Sequence, residues 1–196
     1  MNQVIQNGKM PTSWEGTLIT LIPKKVGEEK MSESIRPICF MNTAARIVTS
    51  VWGKRLSESL EQQSVFEGLQ EGFRPDRSKR RQISRFISAL QDVARNQGTI
   101  CITFLDFENF FNTISLPALF LLLRKFGMNK NDVLHRGLRQ GCPLSPILGG
   151  VVVNAMLRWL DFKGGGLSQG DVVTDSSCFA DDSTLMTTSV HNMNVL

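Results

Sequence analysis

Polar and apolar positions change period several times along this chain, and each change marks an element. Residues 2–8 read as the end of a helix that "GKMP" breaks. Through "TLITLI" the β-branched residues alternate, which predicts a strand over Thr17–Ile22 closed by Pro23. "VGEEKMSES" is a polar loop, and "IRPICF" is a short extended piece, because a residue before proline is pushed away from the helical region. Asn42 or Thr43 can then cap a helix whose one face carries Ala44, Ile47, Val48, Val51, Trp52, Leu56 and Leu60. After the loop "EGFRPDRS", Ile83, Phe86, Ile87, Leu90 and Val93 recur at helical spacing and predict a second amphipathic helix that ends before "NQG".

The second half reads differently. "TICITFLDF" is nearly all apolar and predicts a buried strand. "LPALFLLLRKF" predicts a helix stopped at Gly127. The loop "RQGCPLSP" opens a largely apolar helix over Ile147–Leu160, in which Gly149 and Gly150 suggest close packing. "FKGGGLSQG" reads as a turn-rich linker, followed by "DVVTDSSCF" and "STLMTT" as two arms of a hairpin with "ADD" at its tip.

Composition bounds what such a chain can be. Its 196 residues are 41% hydrophobic and 20% charged, the balance of a globular protein with a core. The net charge of +4 permits a nucleic-acid partner without requiring one. Its distribution says more: residues 1–100 hold 15 Lys/Arg against 10 Asp/Glu, whereas residues 101–196 hold 7 against 8. Cys39, Cys101, Cys142 and Cys178 have no zinc-type spacing and read as reduced thiols of an intracellular protein. Only His135 and His191 are present, which excludes a histidine-rich metal site. No apolar run is long enough for a membrane span, and the N-terminus lacks a signal-peptide pattern.

The chemistry concentrates in carboxylates. Asp106 ends a predicted strand, and Asp181 and Asp182 stand at a predicted hairpin tip 75 residues further on. An aspartate after a strand is commonly a cap, and an Asp-Asp pair at a turn is commonly solvated. If the two strands are neighbours, however, three carboxylates converge. That donor set suits magnesium, a hard cation bound by oxygen. Two such ions about 3.5–4 Å apart can activate a 3′ hydroxyl and stabilise a leaving pyrophosphate.

Six segments then fall in a recognisable order: "PTSWEGTLITLIPKK", "IRPICFMNTAARIVTSVWGKRL", "QEGFRPDRSKRRQI", "FLDFENFFNTI", "GLRQGCPLSPIL" and "CFADDSTL". Together they resemble the reverse transcriptase domain of non-LTR (LINE-type) retrotransposons, with group II intron enzymes as more distant relatives. The resemblance implies an α+β polymerase palm-and-fingers fold of the right-hand, reverse transcriptase-like kind, with an antiparallel palm sheet packed on helices and the thumb absent. Residues 1–99 would be a fingers-like segment with a basic, template-facing helix, and residues 100–196 a palm carrying the catalytic carboxylates. It implies an RNA-directed DNA polymerase with two Mg²⁺ ions (Mn²⁺ as a substitute), and as partners an RNA template, a DNA or RNA primer and dNTP. Asp106, Asp181 and Asp182 would be catalytic, and they and the Phe107 backbone carbonyl would hold metal. Phe111 would sit under the nucleotide sugar and exclude a ribose 2′-OH, although beside Phe110 it is equally a core residue. Gln140 and Gly141 would line the incoming nucleotide. Lys24, Lys25 and Arg36 would grip the triphosphate, a task that suits cations; each lysine alone is equally a surface cation. Arg74, Arg77, Arg80 and Arg81 would contact the template backbone, with Ser145 and Pro146 packed near the template. A charge run of this kind is also commonly a solvated face.

The chain departs from the family pattern in three places. Phe111-Asn112 stands where Phe-Asp is usual, and Phe110 replaces a small residue. Only 34 residues separate Asp106 from Gln140, which suggests a missing helix turn and hairpin. The sequence stops at Leu196, so a truncated piece without a thumb is expected, with weak or no polymerase activity as an isolated chain. The alternative is a catalytically dead retrotransposon remnant that at most binds nucleic acid.

Overall fold

The computed structural model describes residues 4, 10–14, 16–24, 35–66, 68, 70–127, 138, 140–163, 167–169, 172–174, 176–179 and 182–187. They form strands β1 (Thr17–Pro23), β2 (Ile35–Met41), β3 (Cys101–Leu105), β4 (Leu167–Gln169), β5 (Val172–Thr174), β6 (Ser176–Phe179) and β7 (Asp182–Thr187). The helices are α1 (Thr43–Gln62), α2 (Lys79–Arg95), α3 (Phe110–Thr113), α4 (Leu116–Lys125) and α5 (Ser145–Lys163). Helices and antiparallel sheets are therefore mixed, as an α+β fold requires. The expected helix over residues 2–8 lies almost wholly outside the described residues. The chain divides into two compact units, each built from two separate stretches: residues 1–58 with 111–148, and residues 59–110 with 149–196.

In the first unit β1 and β2 form an antiparallel hairpin in which Leu18 faces Phe40 and Ile22 faces Arg36. The α1 cap is Asn42, whose Oδ1 accepts the Ala44 N–H at 2.9 Å and so satisfies one of the orphan donors of the first turn. The stripe that α1 buries holds Ala45, Val48, Thr49, Leu56 and Leu60, while Ile47 is 54% exposed. Thr49 is tolerated inside because its hydroxyl donates to the Ala45 carbonyl at 3.0 Å. Helix α4 buries Leu119 and Leu123 at 1% exposure. It stops at Gly127, whose φ of +81° is open to glycine at little cost.

The second unit is ordered around the sheet β3-β7-β6, with β7 in the centre. Helix α2 covers it, with Phe86, Ala89 and Val93 packed with Ile100, Ile102 and Met186. Ser78 caps α2 by accepting the Arg81 N–H. Helix α5 buries Val151, Val153, Asn154 and Leu157 almost completely. Asn154 is satisfied there by donating from Nδ2 to the Val65 carbonyl at 2.8 Å. Gly150 lies against the Phe66 ring, where a Cβ would make an ordinary 3.5 Å contact, so glycine is not required there by packing.

Three local expectations need revision. The strand "CITFL" is half-buried rather than buried, with Phe104 72% exposed, because it is an edge strand and not an interior one. The segment read as a linker carries β4, which pairs with β5 in a short hairpin of its own. The arm "DVVTDSSCF" is thus split between two sheets, and only Ser176–Phe179 pairs with β7.

Candidate active site

Strand pairing decides where the carboxylates lie. In the β3–β7 ladder Leu105 faces Ser183, so Asp106 and Asp182 are the next residues at the same end of two neighbouring strands. Asp182 also faces Phe179 across the β6–β7 ladder, and Asp181 immediately precedes it, outside the described residues. Asp106 and Asp182 are both exposed, whereas Leu185, Met186 and Thr187 deeper along β7 are buried. The strand thus runs from solvent into the core, and its carboxylate end is the wet one. Neither aspartate is ion-paired with a described residue. Phe107 is half-buried, with its ring centroid 5.7 Å from that of Phe110. The turn between them is set by Asn109 at φ +50°, a left-handed conformation that Asn tolerates better than most residues.

Beneath this end the hairpin is pinned from inside. Cys178 Sγ and Ser183 Oγ are 2.9 Å apart, and both residues are buried. Burial pushes the Cys178 thiol up to about 11, with the Ser183 contact opposing, so the sulfur is a neutral packing group. On the far side of β6 the chain at Gln70-Glu71 runs as a short parallel bridge to Cys178, and the Glu71 N–H donates to the Cys178 carbonyl at 2.9 Å.

The basic segment does not simply face solvent. Arg74 is 5% exposed in its side chain and forms a bidentate pair with Glu61, at 2.6 and 2.7 Å. It also donates to the Gln70 carbonyl at 2.9 Å and lies 5.1 Å from the Phe66 ring centroid. That pairing is the main reason the Glu61 carboxyl lies below the usual range, with burial opposing. Arg77, Arg81 and Arg85 all converge on one oxygen, Glu71 Oε1, at 3.4, 3.5 and 2.6 Å. The Glu71 side chain is 0% exposed, a position that a carboxylate keeps only when it is paired. Burial lowers the Arg85 pKa and Glu71 raises it, with the other guanidinium groups pressing it down again. Lys79 sits 5.5 Å from the Phe179 ring centroid, and Arg80 is exposed.

The remaining candidates belong to the first unit. Lys24 follows the end of β1, and Arg36 faces Ile22, so both exposed cations lie at the same end of the β1–β2 hairpin. Lys25 is outside the described residues. Further along β2 the Cys39 N–H donates to the Gln140 carbonyl at 2.8 Å. Gly141 follows at φ +108°, where a Cβ would sit 2.5 Å from the Cys39 carbonyl oxygen, so only glycine fits. Gln140 lines a hollow of about 500 Å³ with Thr17, Ile19, Pro37, Cys39, Asn112 and Leu138. Phe111 is half-buried, Ser145 is buried at the start of α5, and Pro146 is half-buried.

The structure therefore groups Asp106 with Asp182, Arg77 with Arg81, and Lys24, Arg36, Gln140 and Gly141 along one hairpin. Among the described residues no three His, Cys, Asp or Glu side chains form a metal-sized cluster. Sequence reasoning missed Glu61, Gln70 and Glu71. The available signal was Glu71 itself, an acid just ahead of a run of arginines.

No helix among the described residues is long and apolar enough to cross a membrane. The family model described as reverse transcriptase (RNA-dependent DNA polymerase) matches residues 22–195. The chain is 25% identical, over 221 residues, to the retrovirus-related Pol polyprotein from type-2 retrotransposable element R2DM of Drosophila melanogaster, covering 100% of this chain and 20% of that one. It is 24% identical, over 208 residues, to the corresponding polyprotein from type-1 retrotransposable element R2 of Popillia japonica, covering 91% and 28%. The chain thus spans between a fifth and somewhat over a quarter of these relatives. Among solved structures, telomerase from Candida albicans in complex with a TWJ fragment of telomeric RNA superposes with a TM-score of 0.60 at 14% identity, over 95% of this chain and 40% of that one. Apo telomerase from Candida tropicalis, truncated from its C-terminal domain, superposes with a TM-score of 0.63 at 12% identity, over 99% and 49%. At these identities the likeness is one of fold, and it agrees with the palm-and-fingers architecture that the sequence motifs imply. The relatives likewise agree with the resemblance to non-LTR elements, and the chain belongs to the reverse transcriptase (RNA-dependent DNA polymerase) family.

Proposed function

We propose that this chain carries the nucleotidyl-transfer site of an RNA-directed DNA polymerase, in which a primer 3′-OH attacks the α-phosphate of a dNTP and pyrophosphate leaves. The observation that carries this reading is the β3–β7 register, which sets Asp106 and Asp182 at one end of adjacent strands, with Asp181 next in sequence. In this reading residues 100–196 supply the palm and residues 1–99 the fingers-like segment.

The donor set fits a hard divalent cation. Asp106 and Asp182 are exposed carboxylates without a described ion-pair partner, in a protein whose net charge is +4. Asp106, Asp181, Asp182 and the Phe107 backbone carbonyl would hold two Mg²⁺ ions, or Mn²⁺ in their place. When bound, such ions neutralise phosphate charge and lower the pKa of a coordinated hydroxyl. The protein's own share is positional. Sheet ends hold their side chains more rigidly than loops do. Lys24, Lys25 and Arg36 supply cations for a triphosphate. Gln140 and Gly141 line the nucleotide, with Gly141 letting this loop close against the Cys39 carbonyl of β2. Phe111 sets the sugar preference for deoxynucleotides. Arg74, Arg77, Arg80 and Arg81, with Ser145 and Pro146, form the template side; there Arg74 acts through packing, since its guanidinium is already bound to Glu61.

The test is extension of a primed RNA template by this chain with dNTPs and Mg²⁺, beside Mn²⁺ binding followed by electron paramagnetic resonance. Extension is expected to be weak and to disappear in Asp106→Asn, with Mn²⁺ affinity falling at least tenfold. Unchanged Mn²⁺ binding in that variant would sink the metal assignment. RNA binding with neither Mn²⁺ binding nor turnover would instead identify a catalytically dead remnant.

A further inference from the structure

A buried acidic side chain with an unsatisfied oxygen is costly, and native proteins retain one where its placement achieves something. Glu71 is such a residue. Its Oε2 is buried without a hydrogen-bond partner among the described residues, as are both amide atoms of the neighbouring Gln70. Solvation therefore does not explain where this carboxylate sits. The backbone does: Gln70 bridges to Cys178, and the Glu71 N–H is bonded to the Cys178 carbonyl, so the residue is fixed to the strand that leads into the Asp181–Asp182 turn. From that fixed point its Oε1 gathers Arg77, Arg81 and Arg85, which reach it from the segment before α2 and from two successive turns of α2. Arg85 is also tied to the Gly68 carbonyl at 2.8 Å.

The electrostatic balance of this group is uneven. One carboxylate meets three guanidiniums, which leaves an excess of positive charge. The side chains of Arg77, Arg81 and Arg85 remain 21%, 47% and 39% exposed, so that excess is presented to solvent. Without an internal anion, three guanidiniums this close would repel one another and fan apart.

We propose that Glu71 is a positioning residue: it arrays Arg77, Arg81 and Arg85 as a fixed phosphate-binding comb and ties that comb to β6, the strand paired with the one that Asp182 begins. The ligand is the phosphodiester backbone of the template strand, and the inference rests on the reading of Arg77 and Arg81 as part of the template side of a polymerase site. Its consequence runs against simple charge counting. Replacing Glu71 by a neutral residue raises the net charge by one, which by itself tightens binding to a polyanion. Loss of the comb weakens it.

The experiment measures binding of a primed RNA template by fluorescence anisotropy across a KCl series, for the native chain, Glu71→Gln and Glu71→Asp. Glu71→Gln is expected to bind about tenfold more weakly, with the slope of log affinity on log salt smaller by roughly one to two phosphates. Glu71→Asp is expected to recover part of the loss, because it keeps the charge with a shorter reach. Amide exchange is expected to quicken together in residues 79–95 and 176–187 of the Gln variant. Should Glu71→Gln fail to fold, Arg85→Gln replaces it, set against Arg95→Gln. That control makes the same charge change on the same helix, where the side chain is 77% exposed and pairs with Asp92. Arg85→Gln is expected to lose at least fivefold more affinity than Arg95→Gln, and equal losses would overturn the comb. Native-level or tighter binding by folded Glu71→Gln, with an unchanged slope, overturns the inference alone. Absence of binding by the native chain overturns both it and the reading beneath it.

Discussion

The second unit treats its carboxylates in two opposite ways. Asp106 and Asp182 stand exposed at a sheet end, with no described cation beside them, whereas Glu71 is fully buried against three arginines and Glu61 is paired with Arg74. Glu71 and Asp182 are linked through one sheet, since the Glu71 N–H is bonded to Cys178 of β6 and β6 pairs with β7. The difference separates acids that hold the fold from acids left available for a ligand. A buried charge must be neutralised within the protein, or folding would not tolerate it. An exposed one can wait for a cation from solution.

That contrast predicts different responses to the same kind of change. Asp182→Asn is expected to abolish primer extension while shifting stability by only about 0.5 kcal/mol, as surface substitutions do. Primer extension and thermal denaturation on one preparation check both halves, and a large loss of stability would erase the distinction. Arg74→Ala is expected to do the reverse, destabilising the fold by about 2–4 kcal/mol because it leaves Glu61 unpaired and empties the space beside Phe66; urea denaturation reads this directly.

The burial of the Cys178 thiol beneath the aspartates supplies a smaller effect with a definite sign. The thiol pKa is raised from 9.0 to about 11 in the folded chain, so its contribution is complete below pH 9 and is lost as pH rises toward 11. Stability in Cys178→Ala is expected to be flatter over that window. The least effect is on the acid side. The Glu61 carboxyl is lowered in the folded state, chiefly by its bond from Arg74, so its contribution is present above the ordinary carboxylate value and is lost as pH falls below it. Glu61→Gln is expected to remove that part of the acid limb, and an unaltered limb would show that the pair contributes nothing measurable.

Much of this was legible in the chain. The period of two in "TLITLI" and the period near 3.6 after Asn42 mark β1 and α1 because local backbone geometry alone decides which residues share a face. The apolar arms around "ADD" likewise announced β6 and β7. The face of α1 was only partly legible: Ile47 is exposed and Thr49 is buried, since what a helix covers depends on what is packed beside it. "CITFL" looked like an interior strand but is an edge, because its composition cannot say how many neighbours a strand has. The arginine run looked like an outward face, yet Arg74 and Arg85 find acids 13 and 14 residues away in sequence.

By itself, the sequence determined the longer elements, the family and the identity of the candidate chemical groups, all properties of residues and their near neighbours. Only the tertiary structure decided the pairing of Leu105 with Ser183, which places Asp106 beside Asp182, and the burial of Glu71 among three arginines. Strand register and internal charge neutralisation join residues remote along the chain, and the energies that select them arise only once those residues have been brought together.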